Sequence, residues 1–275
     1  MNKKISNLVT SISGLIVAGI VFVVPFYFIF VNSLNDRREA NKLLISLPET
    51  FYFSNYIKVL TEDNGLIFTA FKNSIIITFF SVLFLVLFSS MTGYVIGRRK
   101  DKPIKFINTL LLSGLMVPSA IMPTIWVLQT LNIYGSLFSI ILINISLQTP
   151  FTVMIYRGYM ASVPVELEES AVIDGCSPFK VFRSIIFPLL TPVTSTVVIL
   201  NSVQIFNDFT NPLYYLPGKE NSTVQLTLYN YMNQFGNQYN LLFADVIIIT
   251  IPMLIIFIIM NKKIIDGMVA GAVKG

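Results

Sequence analysis

The stretch "ELEESAVIDGCSPFKVFRSIIFPLLTP", residues 166–192, is a charged island in an apolar chain. It follows 51 residues without a single charge, Phe106–Tyr156. An uncharged run of that length belongs in the hydrocarbon of a bilayer, whereas the charges of the island require water. The island must therefore lie at a membrane surface, between segments that cross the membrane.

Composition supports this interpretation. Hydrophobic residues make up 54% of the 275 residues and charged residues 12%, about half the charged share of a soluble domain. The length permits six spans of roughly 20 residues with short loops. We therefore predict an all-α membrane protein with one transmembrane domain, residues 1–275.

Several kinds of chemistry are excluded by what the sequence lacks. It contains no His and one Cys, Cys176, which rules out an internal disulfide, a His-based metal site and Ser-His catalysis. No Gly-rich Walker phosphate loop occurs, so we expect no ATP hydrolysis by this chain. The sequence thus predicts neither an enzyme nor a metal site.

Charge-free or nearly charge-free segments mark the spans. The first is preceded by Lys3 and Lys4, as in a signal peptide, but the uncharged run Ile5–Asn35 is longer than a signal core. We therefore predict an uncleaved first helix. The six predicted spans lie near residues 12–34, 74–97, 106–128, 136–156, 185–207 and 241–260.

Orientation follows from the distribution of basic residues. With the N-terminus inside, 13 of the 19 Lys and Arg residues fall in cytoplasmic segments and 6 in outer ones, as the positive-inside rule requires. The basic balance is therefore a topology signal, and we expect no nucleic-acid partner. Both termini and the inner loop, residues 157–184, are predicted to be cytoplasmic; residues 210–240 form the outer loop.

Within the inner loop the sequence predicts two short helices. Pro164 suits the first turn of a helix, which can run to Asp174 and stop at Gly175, a residue that tolerates a left-handed backbone. Ser177 and Pro178 then form an N-cap and first-turn pair. Phe179, Phe182 and Ile186 follow at the spacing of one apolar helix face.

The first of these helices is acidic, with four carboxylates in nine residues. An amphipathic connector that lies on the membrane surface is one explanation, but such segments are usually rich in Lys and Arg. Anionic lipid would repel this helix, and a basic protein cleft would attract it. The charge therefore favours docking of a partner protein.

The spacing of this stretch resembles the EAA loop of ABC importer permeases. Glu169-Ser170-Ala171 is followed after three residues by Gly175 and after nine more by Ile185-Ile186-Phe187-Pro188. In that family the loop forms coupling helices that sit in a cleft of each ATPase subunit. The resemblance implies ATPase-coupling roles for Glu168, Glu169, Ala171, Asp174, Gly175 and Pro188.

The C-terminal segment "GMVAGAVKG" resembles the tail of the maltose-type, carbohydrate-specific permeases. Its glycines make it a poor helix former, and in the family the tail lies between the ATPase subunits. Within the tail, residues 262–275, the resemblance points to Gly267, Gly271, Val273, Lys274 and Gly275 as ATPase contacts. Phe206–Leu216 and Leu242–Ile258 also resemble this family.

The resemblance implies a sugar importer in a bacterial cytoplasmic membrane. This chain would pair with a second homologous permease and two ATPase subunits, which would hold ATP and Mg; no cofactor is expected in the chain itself. An extracellular binding protein would deliver the sugar to the outer loop. The polar residues of this loop that are expected to contact the binding protein are Asn221, Gln225, Asn237 and Tyr239.

Polar residues within spans allow two interpretations. Asn144 and Gln148 could line a translocation path or only form interhelical hydrogen bonds. Pro118 and Pro123 are expected to kink the third span. Asp208 and Asp245 lie near the outer ends of spans, where we expect them to remain solvated.

Two rival functions remain. A permease for a non-sugar solute, such as a polyamine or phosphate, would keep the inner loop but lack the sugar-type tail. An ATP-independent secondary transporter would need inverted repeats or broken helices with intramembrane charges, which the sequence does not display.

Overall fold

The computed structural model describes residues 3–232 and 237–272, and throughout these residues the regular structure is helical. The α-helices, numbered α1–α14 in chain order, are Lys3–Ser33, Arg37–Ala40, Ser54–Thr61, Leu66–Arg98, Lys102–Gly114, Ile121–Thr130, Leu137–Met160, Glu166–Ile173, Pro178–Val181, Phe187–Leu189, Thr191–Phe206, Thr210–Tyr215, Val224–Thr227 and Tyr239–Ala272. A π-helical turn, Phe182–Ile186, joins α9 to α10.

The chain divides into two compact units. One comprises Met1–Ala70 with Val224–Pro252, and the other comprises Phe71–Thr223 with Met253–Gly275. The second unit has an apolar core around α4, α7 and the inner loop. Tyr156, Met160, Ile186 and Leu190 are fully buried there.

The first unit is held together by buried amides. The Asn55 side chain donates to the carbonyl oxygens of Ser33 and Asn35 at 2.8 and 2.9 Å. Its own oxygen accepts from the Asn240 side chain at 2.9 Å. The Ser33 hydroxyl lies 2.7 Å from the Tyr56 hydroxyl, and burial raises the pKa of Tyr56. These bonds join the end of α1 to α3 and to the start of α14.

Three of the described helices are long and apolar enough to cross a membrane: Ser11–Ser33 within α1, α4 and α7. A fourth crossing is added if Pro178–Leu189 and Thr191–Phe206, which meet at a bend of 74°, cross as one span. These three helices overlap the first, second and fourth predicted spans.

The third predicted span, near residues 106–128, was expected to be kinked at Pro118 and Pro123, and in the structure it is divided into two helices. Helix α5 ends at Gly114 and α6 begins at Ile121, with Pro118 in the irregular segment between them. A proline lacks the N–H that helix continuation requires and disfavours the helical conformation of the residue before it. The span was predicted from the absence of charged residues, and that criterion does not detect the interruption, because proline and glycine are uncharged.

The fifth and sixth predicted spans also differ in detail. The uninterrupted part of the fifth is α11, of 16 residues, and the bend before it lies next to Pro188. The sixth lies within α14, whose apolar part is Tyr239–Ile255.

The tail was predicted to form no stable helix of its own; in the structure its first part extends α14, which continues through Gly267 and Gly271 to Ala272. Extending an existing helix avoids the cost of nucleation, so glycines at about 1 kcal/mol each are tolerated. Val273, Lys274 and Gly275 lie outside the described residues.

Candidate functional site

The inner loop contains the predicted helix, glycine turn and second helix. Helix α8 ends at Ile173, and Gly175 follows with a φ of +78°, the left-handed conformation that glycine adopts without strain. The Cys176 amide donates to the Ala171 carbonyl at 3.0 Å, which closes the helix end. Ser177 then caps α9, and its side chain accepts from the Lys180 amide at 3.4 Å.

The outward surface of this loop is both apolar and acidic. Ile173 is 85% exposed, and Val172 and Phe179 are exposed as well. Glu169 and Asp174 lie on the surface beside them. The spacing predicted one apolar face for Phe179, Phe182 and Ile186. In the structure Phe179 is exposed and does not share the buried position of Ile186. Exposed apolar side chains next to carboxylates are typical of a surface that binds another protein.

Glu168, one of the residues to which the resemblance gives an ATPase-coupling role, lies on the inward side of α8. Its Oε1 accepts from the Arg98 Nε at 2.6 Å, and its Oε2 accepts from the Tyr94 hydroxyl at 3.0 Å. The side chain is only 12% exposed. These bonds hold the Glu168 side chain within the chain, and its ATPase-coupling role stays a prediction.

The remaining predicted coupling residues fall at different depths. Ala171 is buried in the core, whereas Pro188 is exposed beside the bend that precedes α11. Between them the Phe182 ring lies 5.7 Å from the Tyr94 ring and 5.9 Å from the Phe187 ring. The inner loop is thus attached along its length to the second unit.

The outer loop uses much of its polarity internally. In the second unit, the Asn73 side chain donates to the carbonyl oxygens of Glu220 and Ser222 at 2.9 and 3.0 Å. The Asn221 side chain donates to the Gly135 carbonyl at 2.7 Å. Asn221, one of the predicted binding-protein contacts, therefore has a structural partner within the chain.

The same holds for outer-loop residues of the first unit. The Asn237 side chain donates to the Tyr239 hydroxyl at 2.7 Å, and its carbonyl accepts from Asn41 at 3.1 Å. Gln225 is half-buried. Burial, and next the Glu62 carboxylate, raises the pKa of Tyr231.

Asp245 was expected to remain solvated, and this is wrong. The residue is fully buried, with Oδ2 at 2.7 Å from the Thr227 hydroxyl. Asp208 does lie nearer the surface, where it accepts from the Asn211 side chain at 2.6 Å. The sequence could not distinguish the two because the partner of Asp245 lies in the outer loop.

The two predicted path residues lie on α7. Asn144 is buried and Gln148 is half-buried. The neighbouring hydroxyls of Ser146 and Thr149 donate to carbonyls of their own helix, so they are not interhelical bonds. A cavity of about 290 Å³ lies beside Ser146, between α7 and the break in the third span, and Ser119, Thr124 and Tyr215 contribute to its wall.

The family of binding-protein-dependent transport system inner membrane components matches residues 2–268. The chain belongs to this family. It is 31% identical to the melibiose/raffinose/stachyose import permease protein of Bacillus subtilis over 92% of this chain and 91% of the relative. It is 34% identical to the multiple sugar-binding transport system permease protein of Streptococcus mutans over 94% of this chain and 95% of the relative.

A solved structure shares the fold. A chain of a bacterial ABC transporter involved in the import of the acidic polysaccharide alginate superposes with a TM-score of 0.82 at 18% identity, over 95% of this chain and 98% of that one. The chain is thus an inner-membrane transport component with the permease fold.

Sequence reasoning missed Arg98 and Tyr94. Arg98 was counted only as one of the basic residues that set topology, yet it is 17% exposed and pairs with Glu168. The sequence offered one signal, since Arg98 is the first charged residue after the uncharged run of residues 73–97; the structure shows that it is the last residue of α4.

Proposed function

We propose that this chain is a permease subunit of an ATP-driven importer that moves a sugar or an oligosaccharide into the cell. Relatives named as permeases for sugars align along nearly its whole length. The observation that carries the mechanism is the exposed apolar and acidic surface of the inner loop around Ile173 and Glu169, held on a fixed helix pair.

That surface is the proposed docking site of an ATPase subunit. Two such subunits would hold ATP and Mg, and this chain would hold no cofactor. Glu169 and Asp174 would face basic side chains of the cleft, while the Gly175 turn fixes the angle between the two short helices. Pro188, beside the bend into α11, would be where movement of the loop becomes movement of a span.

The broken third span supports a place on the translocation path. Residues 115–120 are irregular and exposed in this chain. Irregular backbone at membrane depth is tolerated only against protein or a water-filled cavity. We therefore place this segment, with Asn144 and Gln148 of α7, toward a path shared with a second, homologous permease.

The outer loop is the proposed contact for an extracellular binding protein. Gln225 and Tyr239 remain proposed contacts, and the amides of Asn221 and Asn237 donate to groups within the chain. We assign to those two residues the role of shaping the loop that the binding protein meets.

The proposed topology has six spans with both termini in the cytoplasm of a bacterial cell. The positive-inside bias supports it. The end of α14 and the residues after it, including Gly267, Gly271, Val273, Lys274 and Gly275, would contact the ATPase subunits from the cytoplasmic side.

The test begins with the complex purified from its host by an affinity tag on the N-terminus of this chain. Mass spectrometry should identify two ATPase subunits, a second permease and a binding protein. In proteoliposomes, ATP hydrolysis is then measured with the binding protein and maltotriose, raffinose or arabinotriose, with spermidine and phosphate as non-sugar controls. Stimulation by spermidine or phosphate alone would replace the sugar assignment by a non-sugar one.

A charge reversal completes the test. Glu169→Lys should abolish stimulated hydrolysis or release the ATPase subunits, because it puts a cation opposite a basic cleft. Asp101→Lys, which reverses another exposed acid, is the control and should retain the ATPase subunits. Solute uptake that continues without ATPase subunits would instead indicate a secondary transporter.

A further inference from the structure

We propose that Arg98 and Glu168 are positioning residues that lock the inner loop to the ends of α4 and α7, so that the loop and these two helices move as one body. The proposal rests on the proposed function, in which an ATPase subunit pushes on the inner loop. It assigns no partner contact to either residue, because both side chains are directed into the chain.

The Arg98 guanidinium makes three different bonds. Its Nε donates to the Glu168 carboxylate at 2.6 Å, its Nη1 to the Met160 carbonyl at 3.1 Å and its Nη2 to the Val163 carbonyl at 2.7 Å. Met160 is the last residue of α7, where helix carbonyls lack partners within the helix. One side chain at the end of α4 therefore caps α7 and holds α8.

The Glu168 carboxylate is fully engaged as well. While one oxygen pairs with Arg98, the other accepts from the Tyr94 hydroxyl, which lies one helical turn earlier on α4. The side chains of Arg98 and Glu168 are only 17% and 12% exposed, so little water competes for these hydrogen bonds. Paired charges in such surroundings hold a defined geometry, since separation would leave each without a partner.

The two helices that this pair connects are packed too closely to slide freely. A Cβ atom added at Gly93 would lie 2.6 Å from the Tyr156 Cβ, and one added at Gly97 would lie 3.0 Å from the Met160 Cβ. Gly93 and Gly97 lie four residues apart on α4, so they form one small-residue surface against α7. The α4–α7 contact is thus a rigid base for the clamp.

The packing extends the same body to the next span. The Tyr156 hydroxyl donates to the Thr194 hydroxyl of α11 at 3.0 Å. Ala171 of α8 is buried in the same core as Tyr156. A force applied at the exposed Ile173 would therefore move α4, α7 and α11 together, because no flexible hinge separates α8 from them.

The first experiment measures position and needs no transport. Spin labels are placed at Ile173→Cys on α8 and at Met154→Cys on α7, an exposed position, in a Cys176→Ser background. The full chain is reconstituted in lipid nanodiscs.

We expect one narrow distance distribution, which Arg98→Gln or Glu168→Gln should broaden at least two-fold. Arg99→Gln, which removes the exposed neighbour paired with Asp101, should leave it narrow; an unchanged width in Arg98→Gln would overturn the proposal.

The second experiment measures coupling in the complete tagged complex. It compares ATP hydrolysed with sugar imported, using the sugar of the panel above that stimulates the parent complex most. We expect Glu168→Gln to raise ATP consumed per sugar at least five-fold while the ATPase subunits remain bound. Tyr94→Phe, which removes only the hydroxyl, should raise it by a smaller factor. The exchange Arg98→Glu with Glu168→Arg should not restore the coupling, because a carboxylate at position 98 cannot donate to the Met160 and Val163 carbonyls.

A merely structural role predicts something different. Hydrolysis and import would then fall together as less folded complex is recovered, and their ratio would not change, which would contradict the proposal. If no sugar of the panel stimulates the parent complex, the sugar assignment fails, while the spin-label distances still decide whether the pair positions α8.

Discussion

The inner and outer loops of this chain differ in which side chains they leave for a partner. The inner loop, rich in charge, turns Glu168 inward and exposes Ile173, Val172 and Phe179. The outer loop, rich in amides and hydroxyls, directs Asn221 to a carbonyl of its own chain. The composition of a loop therefore does not identify its binding surface. That surface consists of the exposed side chains that make no contacts within the chain.

The two loops are also held by different kinds of bond. A buried ion pair, Arg98 with Glu168, anchors the inner loop. Neutral amide–carbonyl bonds, such as those of Asn73, anchor part of the outer loop. Removing one partner of a buried ion pair costs about 3–5 kcal/mol, whereas a neutral hydrogen bond contributes about 1 kcal/mol. The inner loop should therefore be the more rigidly held.

The largest expected effect comes from Glu168→Lys. The substitution puts a second cation beside Arg98 in a site with little water, and we expect it to lower the free energy of unfolding by at least about 3 kcal/mol. Thermal unfolding of the purified chain in detergent measures this. Glu169→Lys, at an exposed acid one residue further, should change the free energy of unfolding by less than about 1 kcal/mol. Equal losses would show that Glu168 is not the buried acid.

The next effect concerns the outer loop and its anchor. Asn73→Ala removes two hydrogen bonds, to the carbonyls of Glu220 and Ser222, and should loosen the loop by about 2 kcal/mol. Hydrogen exchange of the amides in residues 218–223 should then be faster by about ten-fold or more. Lys72→Ala, an exposed neighbour on the same helix, is the control. Unchanged exchange in Asn73→Ala would mean that other contacts hold the loop.

A smaller effect is expected for Asn221→Ala. It removes one bond, to the Gly135 carbonyl, and should cost about 1 kcal/mol. Hydrogen exchange of the amides near Gly135 should be faster by a few-fold. The affinity for the binding protein should fall by no more than the same factor. A ten-fold loss of affinity with unchanged exchange would make Asn221 a direct contact, as the sequence alone suggested, and would remove this contrast between the loops.

The parts of the structure that the sequence predicted are those determined locally. The end of α8, the Gly175 turn and the Ser177 cap depend on residues within a few positions of each other. The spans α4 and α7 depend only on long apolar runs. In each case the physical cause lies inside the segment itself.

The parts that could not be predicted depend on distant residues. Which acid of α8 turns inward depends on Arg98, which precedes Glu168 by 70 positions. The burial of Asp245 depends on Thr227, 18 positions away in a different element. The break in the third span depends on how the chain around Pro118 packs, and an uncharged run is equally compatible with a kinked helix or two separate helices.

The smallest effect on folding, and the sharpest on binding, is expected for Ile173→Ser. At 85% exposure the Ile173 side chain buries almost no surface in the folded chain, so the free energy of unfolding should change by no more than about 0.5 kcal/mol, as is usual for a surface substitution. If an ATPase subunit covers this side chain, the complex loses most of its burial, about 1.5–3 kcal/mol, and the ATPase subunits should dissociate at least ten-fold more readily. Co-purification on the tagged chain at increasing dilution measures this. Val165→Ser, at a second exposed apolar residue just before α8, tests whether the contact extends along α8 to its start. Retention of the ATPase subunits by Ile173→Ser at every dilution would show that the exposed apolar surface is not the docking site, and the coupling role would then pass to the carboxylates alone.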